Sequence, residues 1–380
     1  MTTAVATQIH GICAPGFERV RDAFAANFEA GLEVGASFAA THNGEFVVDL
    51  WGGYEDSAST RPWRRDTIAN VWSTTKAMTA ICASILADRG LLDFDAPVAK
   101  YWPEFGAAGK ERIPVRLLIS HQAGVPSVTA PMSGDVFLDW DAYTAALAAE
   151  TPWWEPGTAN GYHAISFGHL VGEVIRRISG KSVGTFFREE VAGPLNADFH
   201  IGIAPAMDQR VSPVIPAPAP VGADLPPESL LIRVIGNPLL AMDAANTRAW
   251  RAAEIPAANG HANARSCARI MSALSLCGAV DGVTLMSPAS VDRASAEQCY
   301  RPDLVLSIPA RWGLGFMLAS KDMPLGPNKR VFGHGGAGGS LAVADLDARA
   351  SWGYVMNKMD GGTTGDIRAR SIADAFYAAL

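Results

Sequence analysis

The sequence predicts an α/β protein of the α+β type. An antiparallel sheet flanked by helices is built from both ends of the chain, and a mainly helical part is inserted between them. Residues 16–31 place apolar side chains at helical spacing. Two β-rich runs then flank Asn43–Gly44, a dipeptide that strongly indicates a tight hairpin. Strand-like runs return at 311–318, 330–346 and 350–358, before a helix-like segment at 366–380.

The middle of the chain is predicted to be helical and rich in loops. A helix beginning at Ser73 and ending at Gly90 would bury five apolar side chains, Met78, Ile81, Cys82, Ile85 and Leu86. A short helix within 113–126 and an amphipathic helix over 166–180 follow, the second stopped by its final glycine. The stretch 211–230 is rich in proline and alanine, so we expect a surface loop without regular structure.

These segments predict two parts with a cleft between them. Residues 1–72 and 300–380 are expected to form the sheet with its flanking helices, and residues 73–299 the mainly helical part. Small-molecule sites often lie in such clefts. We therefore expect the functional site between the two parts.

Composition and charge exclude several classes of function. The 380 residues include 31 basic and 38 acidic ones, and the net charge of -7 argues against nucleic acid or an anionic membrane as a partner. No apolar run approaches the length of a membrane span, and residues 1–20 lack the pattern of a signal peptide. Five cysteines without a C-x-x-C spacing predict free thiols in a reducing compartment. These features together predict a cytoplasmic globular protein.

The sequence also lacks the usual signals of a metal or cofactor site, and we expect neither. It contains no H-E-x-x-H motif and no cysteine–histidine cluster. The glycine-rich run at 333–339 does not lead from a strand into a helix, which argues against a phosphate-binding loop. His121, His163 and His169 have no carboxylate partner pattern, so we interpret them as hydrogen-bonded structural histidines.

Ser73 and Lys76 form the first candidate catalytic pair. Residues three apart on a helix share a face, about 5–6 Å apart at Cβ, and an amine so placed can take the proton of a nucleophilic serine. Burial would lower the pKa of the lysine and free its lone pair. The plain alternative is a helix N-cap followed by an ordinary charged residue. The S-x-x-K spacing alone does not decide between the two.

Two further segments could complete a site. Tyr162 stands in a glycine-flanked loop before the helix at 166–180, where its hydroxyl could project into a cleft, although a lone tyrosine more often belongs to the core or the surface. Residues 332–340 contain five glycines, which indicates a close approach to the backbone. They form either a bulged hairpin turn or an edge strand whose amides face a substrate.

Together the three segments resemble the signature elements of the serine β-lactamase and penicillin-binding protein superfamily. Ser73-Thr74-Thr75-Lys76 matches S-x-x-K, Tyr162-His163-Ala164 stands in place of Y-x-N, and His334-Gly335-Gly336 in place of K-T-G. Within the superfamily, the chain is most similar to the family VIII carboxylesterases, which are similar in fold to class C β-lactamases. The resemblance runs from about residue 15 to the C-terminus and implies a serine β-lactamase-like fold.

The resemblance implies a two-step acyl transfer. Ser73 would attack an ester carbonyl while Lys76 and Tyr162 take its proton, and Tyr162 would then protonate the leaving alcohol. The backbone N–H groups of Ser73 and Ala337 would form the oxyanion hole. His334, Gly335 and Gly336 would bind the substrate.

The expected function is therefore that of a carboxylesterase acting on small, short-acyl esters. Ala164 and His334 replace the asparagine and lysine that β-lactamases of this class use on their substrates, which puts β-lactam hydrolysis in doubt. A β-lactamase, a D-amino-acid peptidase or amidase, and an acyltransferase remain alternatives on the same scaffold. A non-catalytic penicillin-binding-type sensor is a further alternative, against which the presence of all three candidate catalytic residues argues. The oligomeric state is left open.

Overall fold

The computed structural model describes residues 7–219, 222–223, 225–360, 362 and 365–380. Its strands are, in chain order, β1 (Ile9–Cys13), β2 (Gly35–His42), β3 (Glu45–Gly53), β4 (Ile68–Asn70), β5 (Phe199–Ile201), β6 (Val211–Ser212), β7 (Gly260–Ala262), β8 (Ala279–Val280), β9 (Val283–Thr284), β10 (Cys299–Pro302), β11 (Pro309–Trp312), β12 (Met317–Leu318), β13 (Val331–Gly335), β14 (Leu341–Asp345) and β15 (Ala350–Met356). Its α-helices are α1 (Glu18–Glu29), α2 (Thr75–Asp88), α3 (Val115–Ile119), α4 (Trp140–Ala149), α5 (Ser166–Ser179), α6 (Val183–Phe187), α7 (Leu230–Gly236), α8 (Arg248–Ala252), α9 (Ala264–Ser275), α10 (Pro288–Ser295) and α11 (Ile367–Tyr377).

The main sheet has nine strands in the order β1-β3-β2-β15-β14-β13-β12-β11-β10, and every neighbouring pair is antiparallel. Strands β2 and β15 pair along their length, from Ala36 opposite Met356 to His42 opposite Ala350. This pairing joins the two ends of the chain in one sheet. The predicted fold class is confirmed.

The hairpin between β2 and β3 forms where the sequence predicts it. Asn43 has φ +51° and Gly44 has φ +90°, and two positive φ angles in succession are what a tight two-residue hairpin requires. Strand β1 was not predicted. Its exposed side chains show no apolar alternation, and it joins the edge of the sheet through backbone pairing with β3.

Helices cover the sheet on both faces. On one face, the Tyr354 side chain of β15 contacts Glu33, which follows α1, and Arg368 of α11. On the other face, the neighbouring Gly353 has no side chain, which allows α9 to pack against the strand. The Ser351 hydroxyl also donates to the Ala268 carbonyl of α9 at 2.7 Å. Helix α9 therefore packs on the sheet, although the sequence assigned it to the helical part. The boundaries at residues 72 and 300 stay a prediction.

Helix α2 runs through the middle of the protein and is buried on all sides from Thr75 to Leu86. It ends at Asp88, and Gly90 follows with φ +71°, close to the predicted stop. The predicted start at Ser73 is wrong by two residues. Trp72 has φ +46°, outside the right-handed helical region, so Ser73 lies in a turn that precedes the helix.

The middle segment is less purely helical than predicted, because it contributes to a second sheet in the order β5-β7-β4-β6. The predicted helices at 113–126 and 166–180 are confirmed as α3 and α5. The predicted loop over 211–230 is wrong at its start, where Val211–Ser212 pairs with β4 as strand β6. The rest of its described residues are irregular up to Leu230, and positions 220, 221 and 224 lie outside the described residues.

All five cysteines have free thiols, as the sequence predicts. Of the helices that the structure describes, none combines the length and the apolar character needed to cross a membrane.

Candidate active site

Three segments that lie far apart in the sequence meet at Ser73. The first segment is the turn before α2 together with the first turn of that helix, which carry Ser73 and Lys76, and the second is the loop before α5, which carries Tyr162. Lys76 Nζ lies 3.0 Å from Ser73 Oγ and 4.7 Å from the centre of the Tyr162 ring, and Tyr162 lines the same cavity as Ser73. The connection between β13 and β14, here called turn 336–340, also passes beside Ser73. The structure thus brings together Ser73, Lys76 and Tyr162, the three residues that the sequence predicts to be catalytic.

The backbone at Ser73 is strained and firmly held. The left-handed conformation of Trp72 costs a bulky residue about 1–3 kcal/mol. The Thr75 hydroxyl donates to the Trp72 carbonyl at 2.6 Å and accepts the Gly260 N–H at 2.8 Å. The Trp72 ring also packs on the Trp250 ring, with centroids 5.6 Å apart. Such strain is often found at functional sites.

Lys76 is fully buried, and its hydrogen-bond partners are uncharged. Its Nζ lies 2.7 Å from the Ala164 carbonyl oxygen and 3.0 Å from that of Ala257. Burial lowers the pKa of Lys76 well below its usual value. A neutral amine has two N–H groups and one lone pair. If the two carbonyls accept the N–H groups, the lone pair faces Ser73 Oγ, which is the geometry of a general base.

Tyr162 lies between aromatic rings that fix its orientation. Its ring stacks on Trp312 with centroids 5.7 Å apart and an interplanar angle of 12°, and His121 lies 4.9 Å away. Burial raises the pKa of Tyr162 above its usual value, so the hydroxyl keeps its proton at neutral pH. Tyr162 is therefore arranged to donate a proton.

Asp303 is a functional candidate that the sequence analysis missed. Its buried carboxylate accepts the Tyr162 backbone N–H at 2.9 Å and the Asn160 side-chain amide at 2.8 Å. It also accepts the backbone N–H groups of Val305 and Leu306, both at 2.9 Å. This carboxylate joins the Tyr162 loop to the segment after β10. The only available signal was an aspartate after Pro302, which is typical of a turn.

His334 lies inside the fold. Its side chain is 1% exposed, and its Nδ1 forms a 2.7 Å hydrogen bond with the Gly335 carbonyl oxygen. Burial is the main cause that lowers the pKa of His334 to about 3, so the ring is neutral. The ring lies beside Tyr162 and Trp312, outside the set of side chains that line the cavity at Ser73. A contact between substrate and residues 334–336 stays a prediction.

The glycine-rich run forms a hairpin turn, which was one of the two predicted alternatives. The edge-strand alternative is wrong, because β13 lies between β12 and β14. Strand β12 pairs only with Phe332 and Gly333, however, so the end of β13 and turn 336–340 extend beyond that pairing.

Two residues of the cavity lining at Ser73, Ser73 itself and Ala337, have backbone N–H groups that are free to bind an oxyanion. Among the described residues, neither the Ser73 N–H nor the Ala337 N–H has a backbone or side-chain acceptor. A Cβ on Gly336 would lie 2.2 Å from the Val71 carbonyl oxygen and 3.2 Å from the Ser73 nitrogen, so only glycine allows this approach. Paired N–H donors of this kind stabilise the tetrahedral intermediate of acyl transfer.

The cavity in front of Ser73 is apolar. Its polar side chains are Ser73 and Tyr162, and no charged residue belongs to its described lining. The remaining lining residues are Trp72, Ala164, Ile165, Leu231, Ile235, Leu240, Met242, Ala258, Leu306 and Ala337. A cavity of this kind favours an uncharged, largely apolar ligand.

The other histidines have structural contacts. His121 Nδ1 accepts the His163 backbone N–H at 3.1 Å, and His163 Nε2 accepts the Val125 N–H at 3.2 Å. The His169 ring packs between Trp140 and Tyr143, but both of its ring nitrogens are buried without a hydrogen-bond partner among the described residues, so the prediction of a hydrogen-bonded histidine is wrong for His169. Across the part of the chain that the structure describes, no group of three or more His, Cys, Asp or Glu side chains could hold a metal ion.

Comparisons with known proteins give matches over nearly the whole chain. The family model described as Beta-lactamase matches residues 24–376. The esterase/beta-lactamase LipL of Mycobacterium tuberculosis is 35% identical over 365 residues, which cover 93% of this chain and 83% of LipL. A crystal structure of a family VIII carboxylesterase shares 46% identity with a TM-score of 0.93, covering 98% of this chain and 100% of the other. A penicillin-binding protein homologue from Caulobacter crescentus shares 39% identity with a TM-score of 0.90, at the same coverage.

Proposed function

The chain belongs to the β-lactamase family and is a carboxylesterase within it, and we propose that it cleaves small, short-acyl esters through an acyl-enzyme on Ser73. The family predicted from the sequence is thereby confirmed. One observation carries the proposed mechanism. Lys76 Nζ lies 3.0 Å from Ser73 Oγ, and its other two hydrogen-bond partners are backbone carbonyls.

Acylation begins with the neutral Lys76 amine. It takes the Ser73 hydroxyl proton while Ser73 Oγ bonds to the ester carbonyl carbon. The negative charge that develops on the carbonyl oxygen is stabilised by the N–H groups of Ser73 and Ala337. Removing one such donor typically costs about 3–4 kcal/mol of transition-state stabilisation.

Collapse of this intermediate requires a proton on the leaving alcohol. Tyr162 supplies it, because burial keeps the phenol protonated and its side chain lines the cavity beside Ser73. The protonated Lys76 amine, 4.7 Å from the centre of the Tyr162 ring, stabilises the phenolate and returns the proton. Water then enters where the alcohol left and gives a proton to the same pair. Its oxygen bonds to the acyl carbon, and the release of the acid restores the Ser73 hydroxyl.

The substrate class follows from the cavity. Its apolar lining suits a small, uncharged ester and offers no cation to the carboxylate of a β-lactam. Ala164 contributes only its backbone carbonyl to Lys76 and cannot bond a side-chain amide of a β-lactam. Hydrolysis of β-lactams is therefore the weaker alternative on this scaffold. We also infer a reducing, cytoplasmic setting from the five free thiols.

A panel of p-nitrophenyl esters from acetate to octanoate tests the substrate class. We expect the highest kcat/KM for the short acyl chains and no measurable turnover by Ser73→Ala. Ser84→Ala is a matched control, because Ser84 lies in the adjacent helix with an unpartnered Oγ among the described residues. This control should keep full activity. Turnover by Ser73→Ala that equals the wild-type rate would refute the proposed nucleophile.

A further inference from the structure

Turn 336–340 positions the Ala337 N–H, the second oxyanion donor of the proposed function. Three other N–H groups of this turn already have acceptors within the protein. The Gly336 N–H donates to the Ser340 carbonyl at 2.8 Å, the Gly338 N–H to Gly362 at 3.0 Å, and the Gly339 N–H to Gly336 at 3.1 Å. The position of the Ala337 N–H is therefore set by how the turn as a whole is held.

One set of contacts holds the turn against the segment that carries Ser73. The Ser340 hydroxyl donates to the Val71 carbonyl at 2.7 Å and lies 3.0 Å from the Thr74 hydroxyl. These bonds attach the Ser340 end of the turn to Val71, two residues before Ser73, and to Thr74, one residue after it.

A second contact holds the opposite side of the turn. Arg368, in the first turn of α11, donates from Nη2 to the Gly338 carbonyl at 2.6 Å. The same carbonyl accepts the Asp360 N–H at 3.1 Å. Gly338 directly follows Ala337, so this bond is one residue away from the proposed oxyanion donor. The Arg368 side chain is 3% exposed and lies outside the cavity lining at Ser73.

The Arg368 guanidinium is itself rigidly placed, because each of its five N–H groups has an acceptor. Nε and Nη2 bond to the Asp366 carboxylate at 3.1 and 2.6 Å. Nη1 bonds to the buried Glu33 carboxylate at 3.3 Å and to the Lys358 carbonyl at 2.8 Å. A planar fork with all donors engaged holds one geometry, which a lysine cannot reproduce.

The contact between Arg368 and the turn requires a glycine at position 339. Gly339 has φ +124°, and a Cβ there would lie 2.3 Å from Asp366 Oδ2 and 2.8 Å from Arg368 Nη2. The ion pair therefore packs directly against the backbone of the turn, where no side chain separates them.

We propose that Arg368, held by Asp366 and Glu33, is a positioning residue for ester hydrolysis that fixes the Ala337 N–H in the oxyanion hole. The inference rests on the proposed function. Arg368 does not touch the substrate and acts through the Gly338 carbonyl. Its loss would let the turn relax away from Ser73, so it would weaken binding of the transition state more than binding of the ester.

The test compares Arg368→Met with Arg265→Met in the full-length protein. Arg265 is a matched control, because it forms a bidentate pair with Asp49 at 2.7 and 2.9 Å on the opposite face of the sheet. The readouts are kcat and KM for p-nitrophenyl butyrate, the inhibition constant of an alkylboronic acid, which forms a tetrahedral adduct on a serine nucleophile, and the Tm.

We expect Arg368→Met to lower kcat about 10- to 100-fold, because the donor is displaced rather than removed. KM should stay within about threefold, and boronic acid affinity should fall by about the same factor as kcat/KM. Arg265→Met should lower Tm, but it should change neither kcat nor the boronic acid affinity by more than about twofold. Arg368→Lys should be intermediate, and it replaces Arg368→Met if that variant does not fold.

Wild-type kcat and wild-type boronic acid affinity in a folded Arg368 variant with lowered Tm would overturn the proposal, since Arg368 would then be merely structural. That outcome leaves Ser73 as the nucleophile. If a fluorophosphonate labelled a residue other than Ser73 in the wild-type enzyme, the proposed function itself would fail, and the positioning role would fail with it.

Discussion

Asp303 offers a sharp test of how the Tyr162 loop is held. Its carboxylate accepts four hydrogen bonds, from the Tyr162, Val305 and Leu306 backbone N–H groups and from the Asn160 amide. Three of these bonds end on Oδ1 and one on Oδ2. The side chain is 1% exposed, so the donors would be left without an acceptor in Asp303→Ala.

Asp303→Ala and Asp303→Asn should lower the free energy of unfolding by different amounts. Hydrogen bonds to a charged group contribute about 1.5–3 kcal/mol each, so Asp303→Ala should lower the free energy of unfolding by at least about 4 kcal/mol. In Asp303→Asn the side-chain oxygen can still accept the three bonds at Oδ1. The Asn160 Oδ1 is buried without a partner among the described residues, so a flipped Asn160 amide can accept the new N–H. This variant should lose only about 1–2 kcal/mol.

The assay measures kcat for p-nitrophenyl butyrate and unfolding by urea in the same preparations. We expect kcat to fall about 100-fold in Asp303→Ala, the usual contribution of a general acid, and less than about tenfold in Asp303→Asn. Asp345→Ala is the control, because Asp345 is buried in the sheet and accepts three comparable hydrogen bonds away from the site. A folded Asp303→Ala variant with wild-type kcat would refute the reasoning.

Four further predictions concern the pH dependence of stability, the catalytic base, the substrate and His334. Burial raises the pKa of Glu33 to about 7 from an ordinary 4.5, so its contribution to stability is complete below about pH 4.5 and is lost as pH rises through 7. Glu33→Gln should remove this pH dependence, worth up to about 3 kcal/mol, from urea unfolding at pH 5 and 8. Burial lowers the pKa of Lys76 and so favours its neutral form, and we expect kcat/KM to be high already at pH 7. Lys76→Arg should be inactive up to pH 9, and an active Lys76→Arg enzyme would show that no amine lone pair is needed. p-Nitrophenyl butyrate should have a kcat/KM about a thousandfold above that of nitrocefin, since one charge-assisted contact and one neutral hydrogen bond to the β-lactam are missing. Efficient nitrocefin turnover would contradict this. The family pattern predicts that His334→Lys narrows this difference in kcat/KM, but the burial of His334 predicts instead a destabilised protein, which a lower Tm would show.

The parts of the fold that the sequence predicted depend on local signals. The Asn43–Gly44 hairpin and the helix at 166–180 are encoded by positive φ angles, helical spacing and a glycine stop within a few residues. Strand β1 could not be predicted, because its pairing with β3 depends on the backbone and leaves no apolar pattern. The helix start was misplaced because nothing local indicates that Trp72 adopts a left-handed conformation.

The candidate site divides in the same way. Ser73, Lys76 and Tyr162 could be proposed because their spacing and order resemble a known family, and the structure brings them together. Asp303 and Arg368 could not be proposed from the sequence, because their contacts exist only in the folded chain. Asp303 binds the Tyr162 backbone, 141 residues earlier, and Arg368 binds the Gly338 carbonyl, 30 residues earlier.

The most direct test of the account is intact-protein and peptide mass spectrometry after treatment with a fluorophosphonate. We predict one adduct per chain, on Ser73, formed at least about a hundredfold more slowly in Lys76→Ala, because the base that activates the serine is then missing. Ser84→Ala should be labelled at the wild-type rate. An adduct on another residue, or labelling of Ser73 at an unchanged rate in Lys76→Ala, would contradict the proposal that Lys76 activates Ser73.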